Sequence, residues 1–468
     1  MPTEALILEQ HAEKRRNRRV LWSLLWLALA LLLGTPLIWS WSVTRKWERL
    51  KAEYEASGET LDLAKLEPMK VPDEENVFGP DMEFDAGFSG EMEQDTFLIS
   101  FSRNLSFQLE NAALMSRSGF ERAYSTVVYN DRILRLPSST NFMPRELLTW
   151  IDDQMPRIEV LLTRLDRPYA DHTGRSSPRM LDAAVFIRGA VGLFSDDDQA
   201  VTESLRLSIR NEEATGKWSI SRFQGACKWL DLLWLTLKFQ TLEQEQCQSI
   251  LRDLHRIDMM NLCRQKTVAD ANHLVGLINK VGGRFVGDSG VPTIFIKRAA
   301  VEHLGLHLST LRALSADRVE NIYPGIEAYR EGRDLRLLSR VFPDLSVERY
   351  FQDGGGHLRD VQSAVVLQTK IDLAKIALAA ELYRFRHGDY PVSADSLVPE
   401  FLSSVPVDLM DGKPLRYARD GSRYRIWSIG RNGVDDGGKF FRVTLNSSGW
   451  THPIHDGDWV WFYPKASE

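Results

Sequence analysis

Residues 20–44 read VLWSLLWLALALLLGTPLIWSWSVT, a stretch without one charged side chain. Coiled into a helix that rises about 1.5 Å per residue, it would reach about 37 Å, more than the roughly 30 Å hydrocarbon core of a bilayer. Trp22 and Trp26 stand near one end and Trp39 and Trp41 near the other, where amphipathic rings favour the membrane interface. Gly34 and Pro36 are tolerated in such a helix, because neighbouring groups satisfy the freed backbone carbonyl. The run exceeds the roughly 7–15 residues of a signal-peptide core, and no Ala-x-Ala follows it. It reads as an uncleaved single transmembrane anchor. Lys14, Arg15, Arg16, Arg18 and Arg19 precede it and Arg45, Lys46, Arg49 and Lys51 follow. The denser basic group before the span predicts a cytoplasmic tail over 1–19 and an extracytoplasmic body from about residue 45 onward.

The rest of the chain has ordinary globular chemistry. At roughly 100–200 residues per domain, its length gives two to four folding units, with enough chain to bury real cores. A charged fraction of 26% beside 43% hydrophobic residues excludes wholesale disorder. The net charge of −6 excludes a nucleic-acid binder, which needs a concentrated basic surface. Cys227, Cys247 and Cys263 cannot build a disulfide framework, and no CxxC pair exists.

Beyond the span, residues 45–95 read as a charged juxtamembrane helix and then a Pro- and Gly-punctuated linker, or an extended segment lying on a domain. Residues 96–345 are patterned as an α-helical domain. Pro144 precedes one helical run that continues toward Pro168. Further runs cover 180–194, 200–216, 218–239 and 249–263, with apolar residues three and four apart. Ser195 and Asp196 to Asp198 form a natural N-cap region. Residues 357–468 change character. A long helix over 357–387 carries the apolar stripe Leu367, Ile371, Ala374, Leu378, Leu382 and Phe385, which leaves Gln368, Asp372, Lys375 and Arg386 for the solvated side. Gly388 stops it, a short helix ADSLVPEFL follows, and PLRYA, RYRIWSI, FFRVTL and DWVWFY read as strands. Asp411-Gly412 and Asp420-Gly421 supply turns before the first two.

Three ordered motifs in this part, at 383–391, 408–417 and 428–433, resemble the C-terminal domain of the major pseudopilin of type II secretion systems. The likeness covers about 370–438. With PDEEN upstream, the chain is also similar to large membrane-protein families of planctomycetes and verrucomicrobia, a likeness that implies no activity. Unlike a pilin, the apolar span contains no Glu and lies far from the pilin-like helix. The expected architecture is a single N-terminal transmembrane helix, a mainly α-helical ectodomain and a C-terminal α+β pseudopilin-like domain, a long helix plus a small antiparallel sheet. The expected setting is the bacterial inner membrane. The expected partners are the lipid bilayer, through 20–44, and envelope proteins.

The pseudopilin likeness implies a calcium loop, because that family's loop presents oxygen ligands to a hard cation. The corresponding positions are the Ile429 carbonyl, Asn432 where the family has Asp, and Asp435 and Asp436 following. The alternative is a Gly/Asp-rich turn satisfied by water. Two other clusters suggest an envelope metal-dependent hydrolase instead of a structural or protein-binding role. His303 and His307 share a helix face at zinc-site spacing, and His452, His455 and Asp456 cluster near the C-terminus. Neither comes with an HExxH motif, and helix packing or surface decoration explains each as simply. Gly287-Asp288-Ser289-Gly290 echoes a serine-protease segment, but in helical surroundings.

Overall fold

The computed structural model describes residues 4–58, 71–78, 126–129, 132–135, 145–170, 179–195, 197–215, 228–239, 241–281, 293–314, 354–430, 432–439 and 457–463. They form helices α1 (Glu4–Ala56), α2 (Arg145–Leu162), α3 (Arg179–Ser195), α4 (Asp198–Thr215), α5 (Lys228–Phe239), α6 (Gln244–Leu254), α7 (Met259–Val281), α8 (Thr293–Leu314) and α9 (Gly354–His387). A hairpin, β1 (Thr126–Tyr129) and β2 (Arg132–Arg135), was not foreseen among the helices. Strands β3 (Arg416–Asp420), β4 (Arg423–Ser428) and β5 (Trp459–Tyr463) form an antiparallel sheet in that order. Two compact units result. One comprises Met1–Glu67, Val268–Leu308 and Arg333–Gly354, the other Pro68–Thr267, Ser309–Gly332 and Gly355–Glu468.

The expected transmembrane helix over 20–44 is corrected here. Among the described residues no helix is long and apolar enough to cross a membrane. The apolar run sits within α1, which continues without a break into a charged segment, so the separate juxtamembrane helix does not exist. At that end the helix packs on protein. Val43, Trp47 and Tyr54 are buried at helical spacing, and Arg49 and Glu53 pair at 3.0 Å on another side. Hydropathy alone counts Val43 as lipid-facing, whereas protein covers it. Gly58, at φ +87°, ends the helix.

In the second unit, residues 72–78 form a strap across the helices that begins with a 3-10 turn at Asp73–Glu75. Val77 N–H donates to the Tyr169 carbonyl (2.9 Å), and Tyr169 N–H donates to Glu75 (3.2 Å). Val77 and Phe78 enter a core with Ile158 and Leu161 of α2, Leu181 and Val185 of α3 and Leu207 of α4. Asn76 closes the strap on itself: its amide donates to the Phe78 carbonyl (3.1 Å) and its Oδ1 accepts from Phe78 N–H (3.2 Å). Phe78→Ala is expected to cost about 3–5 kcal/mol through the cavity it leaves. Urea unfolding of the full chain measures this, and a loss near zero would mean the strap contributes no core.

Helix α3 lies so close to α5 and α4 that a Cβ on Gly189 would stand 2.6 Å from Leu232 of α5 and 2.9 Å from Ser204 of α4. Asp197 caps α4 by accepting the Ala200 N–H (2.9 Å), as its position suggests. The run 249–263 is broken into α6 and α7, because Asp258 accepts the Asn261 N–H (2.9 Å) and starts a new helix there.

The solvated side expected for α9 is corrected in part, since Arg386 near its end is exposed as expected. Its apolar stripe is buried, but so are Gln368, 8% exposed, and Asp372, while Phe385 is 37% exposed. Where both its apolar and its polar face are buried, the helix has partners on both. On one side the Tyr424 hydroxyl of β4 reaches the Ala377 carbonyl (3.3 Å). On another, Gln368 Oε1 accepts the first N–H of α7, from Met259 (2.8 Å), and Lys266 pairs with Asp360 (3.0 Å). Trp461 of β5 meets Trp234 of α5 at a ring-centroid distance of 5.7 Å. The long helix therefore belongs to the helical core as much as to its own sheet.

Candidate functional site

The candidate calcium residues lie just past β4, and the turn before β3 shapes their surroundings. Gly412, at φ +71°, lets that turn close, with Asp408 N–H donating to the Lys413 carbonyl (2.7 Å). The turn carries the fully buried Asp408 carboxylate to the end of β4. Its Oδ1 accepts from Met410 N–H (3.0 Å) and the Ser428 hydroxyl (2.8 Å). Its Oδ2 accepts from Ile429 N–H (3.0 Å) and Arg416 Nη1 (2.6 Å). Four donors on one carboxylate satisfy its oxygens away from water.

Arg416 continues the network. It also donates to both carboxylate oxygens of Asp411, and its Nε lies 3.5 Å from Asp435 Oδ2. Asp435 Oδ1 accepts from the Trp427 indole (2.9 Å) and Gly437 N–H (3.0 Å). The Trp427 bond, helped by Gly437 and Arg416, holds the Asp435 carboxyl below the usual carboxylate range although burial opposes it. Burial likewise works to raise Asp411, but the Arg416 bond, the Lys413 N–H and both cations together lower it. Asn432 Oδ1 accepts its own loop's Val434 N–H (3.0 Å), an Asx turn. Asp458, 4% exposed, takes the Gly438 N–H (2.7 Å). Burial, reinforced by Asp435 and Asp436, raises its carboxyl against the pull of two backbone N–H groups.

Ile429, Asn432, Asp435 and Asp436 do not fit a calcium ion in this arrangement. Calcium wants six to eight oxygens at about 2.3–2.6 Å, whereas the Asn432 and Asp435 oxygens already accept protein donors. Arg416 Nε, 3.5 Å from the other Asp435 oxygen, already sets a positive charge beside this carboxylate. Among the described residues no group of three or more His, Cys, Asp or Glu is placed to hold a metal ion. Sequence reasoning noticed Asp408 only as part of a turn motif, and missed Arg416 and Asp458 altogether. The one available signal was the DLMDGKPLR spacing, which puts two acids and an arginine around a tight turn.

Of the remaining candidates, His307 lies buried on α8 among helix-packing residues. The His303 side chain, His452, His455, Asp456 and the segment 287–290 lie outside the described residues. Cys247 and Cys263 are buried, and burial followed by the Glu381 charge raises the Cys247 thiol far above its ordinary range. A second polar cluster was not foreseen. Between α3, α4 and α5, Lys228 Nζ pairs with Asp182 (3.0 Å) and lies 5.9 Å from the Phe186 ring centroid. Glu212 is buried beside them. Burial, and behind it the Asp182 charge, pushes its carboxyl up to about 8 against the pull of Lys228.

Comparison of the chain with protein-family models, with curated proteins and with solved structures finds no match.

Proposed function

We propose that this chain is a structural, protein-binding component of the bacterial cell envelope, working within a secretion- or pilus-type assembly. The observation that carries this reading is the layout of 354–463, in which one long helix is followed by a three-stranded antiparallel sheet. That is the arrangement expected of the family whose motifs 370–438 resemble. The internal bonding of the motif residues supports it further. Asp408, Arg416 and Asp435 hold loops to strands, which shapes a surface for recognition.

Two measurements on the tagged full chain in its host test the proposal together. Cell fractionation should recover the chain with the envelope, and cross-linking in living cells should trap it in a defined complex containing a secretion- or pilus-type component. Recovery from the cytosol alone as an uncross-linked monomer overturns the reading.

A further inference from the structure

We infer that Arg416 is the built-in cation of the 408–438 loop system, standing where the resembled family uses calcium. A calcium ion in such a loop neutralises clustered carboxylates and ties separate segments together. Arg416 does both here. Its guanidinium is bonded to Asp408 and Asp411 in the turn before β3 and paired with Asp435 in the loop after β4. Through Asp408 it is coupled to the Ser428 hydroxyl and the Ile429 N–H, at the point where the loop leaves the strand. The side chain is mostly buried, so its charge is poorly screened from the three carboxylates around it.

The chemistry suits the task. A guanidinium keeps its charge at every physiological pH and offers five donors in a rigid fork, so it can bridge several acids at once. Burial alone would lower its pKa, but bonding to Asp411 and the charges of Asp408, Asp411 and Asp435 raise it instead. A metal loop opens when the free ion becomes scarce. A loop closed by its own arginine does not respond to calcium at all.

Thermal melting of the full chain, followed by tryptophan fluorescence, tests the inference in excess EDTA and in millimolar calcium chloride. The wild-type Tm should agree within about 1 °C between the two, since a ligand that does not bind the folded state cannot shift it. Arg416→Gln keeps hydrogen-bonding capacity but removes the charge, and should lower the Tm in EDTA by about 3–5 °C. Calcium should then restore part of that loss, because the acids around the vacated position face each other unneutralised. Arg416→Lys should fall between the two and stay indifferent to calcium. If Arg416→Gln fails to fold in EDTA, refolding it in calcium reads the same gain. A wild-type Tm that climbs several degrees with calcium overturns the inference. So does an Arg416→Gln variant that melts like the wild type or gains nothing from the ion.

Discussion

Truncating Asp408 to alanine is expected to destabilise the C-terminal sheet by about 3–5 kcal/mol, the range found when one member of a buried ion pair is removed. The reason is the number of groups left behind. Arg416 loses the Asp408 carboxylate, at 2.6 Å, and keeps a charge it cannot hydrate in place. The N–H groups of Met410 and Ile429 and the hydroxyl of Ser428 lose their acceptor in a region without access to water. Each orphaned donor costs on the order of 1–3 kcal/mol, partly relieved if the turn opens. Asp408→Asn should do less harm, because the amide oxygen can still accept from two of the donors. Urea unfolding followed by the fluorescence of Trp427, Trp459 and Trp461, which lie on or beside the sheet, reads the difference. An Asp408→Ala midpoint close to that of the wild type would mean the hub is ornamental. The exposed Asp389–Arg419 pair at the edge of the same sheet is the natural control, since water screens it.

What could be read from the sequence, and what could not, divides by the range of the interactions involved. Helices α3 and α4 were legible to within a residue or two because local signals fix them: helical apolar spacing, and Asp197 capping the start of α4. The two-residue Gly421-Ser422 hairpin between β3 and β4 was legible for the same reason. The break between α6 and α7 was not, because Asp258 and Gln368 share the capping and Gln368 lies 109 residues from Met259. The polar side of α9 misled for a related reason. An amphipathic stripe says which face is apolar, but a neighbouring helix can cover the other face if its polar groups are answered, and here Met259 and Lys266 answer Gln368 and Asp360. The membrane reading failed because no helix among the described residues is long and apolar enough to cross a membrane, and at the end of the apolar run Val43 is covered by protein. At the candidate site the acids could be listed in advance. Their arrangement around one arginine comes from the β3–β4 register, which no local pattern encodes.

Glu212→Gln is expected to stabilise the chain by about 3–3.5 kcal/mol near neutral pH and to bring no gain in mild acid. In the unfolded chain this carboxyl ionises near its ordinary 4.5, whereas in the folded core it holds its proton until about pH 8. Between those values the folded state binds one proton more than the unfolded state, so folding weakens as the pH rises. The contribution is intact below about 4.5, declines through the neutral range, and is gone once the pH passes about 8. Each pH unit in that window is worth about 1.4 kcal/mol, and the window is some 2.5 units wide at pH 7. Glutamine fills the same space and carries no charge in either state, so it removes the slope without emptying the core. Urea titrations of both proteins from about pH 4.5 to 8.5 separate this effect from every other titrating group, since the rest cancel in the difference. A stability difference that stays flat across that range would show that Glu212 is ionised in the fold and that its neighbours, not its proton, make it tolerable there.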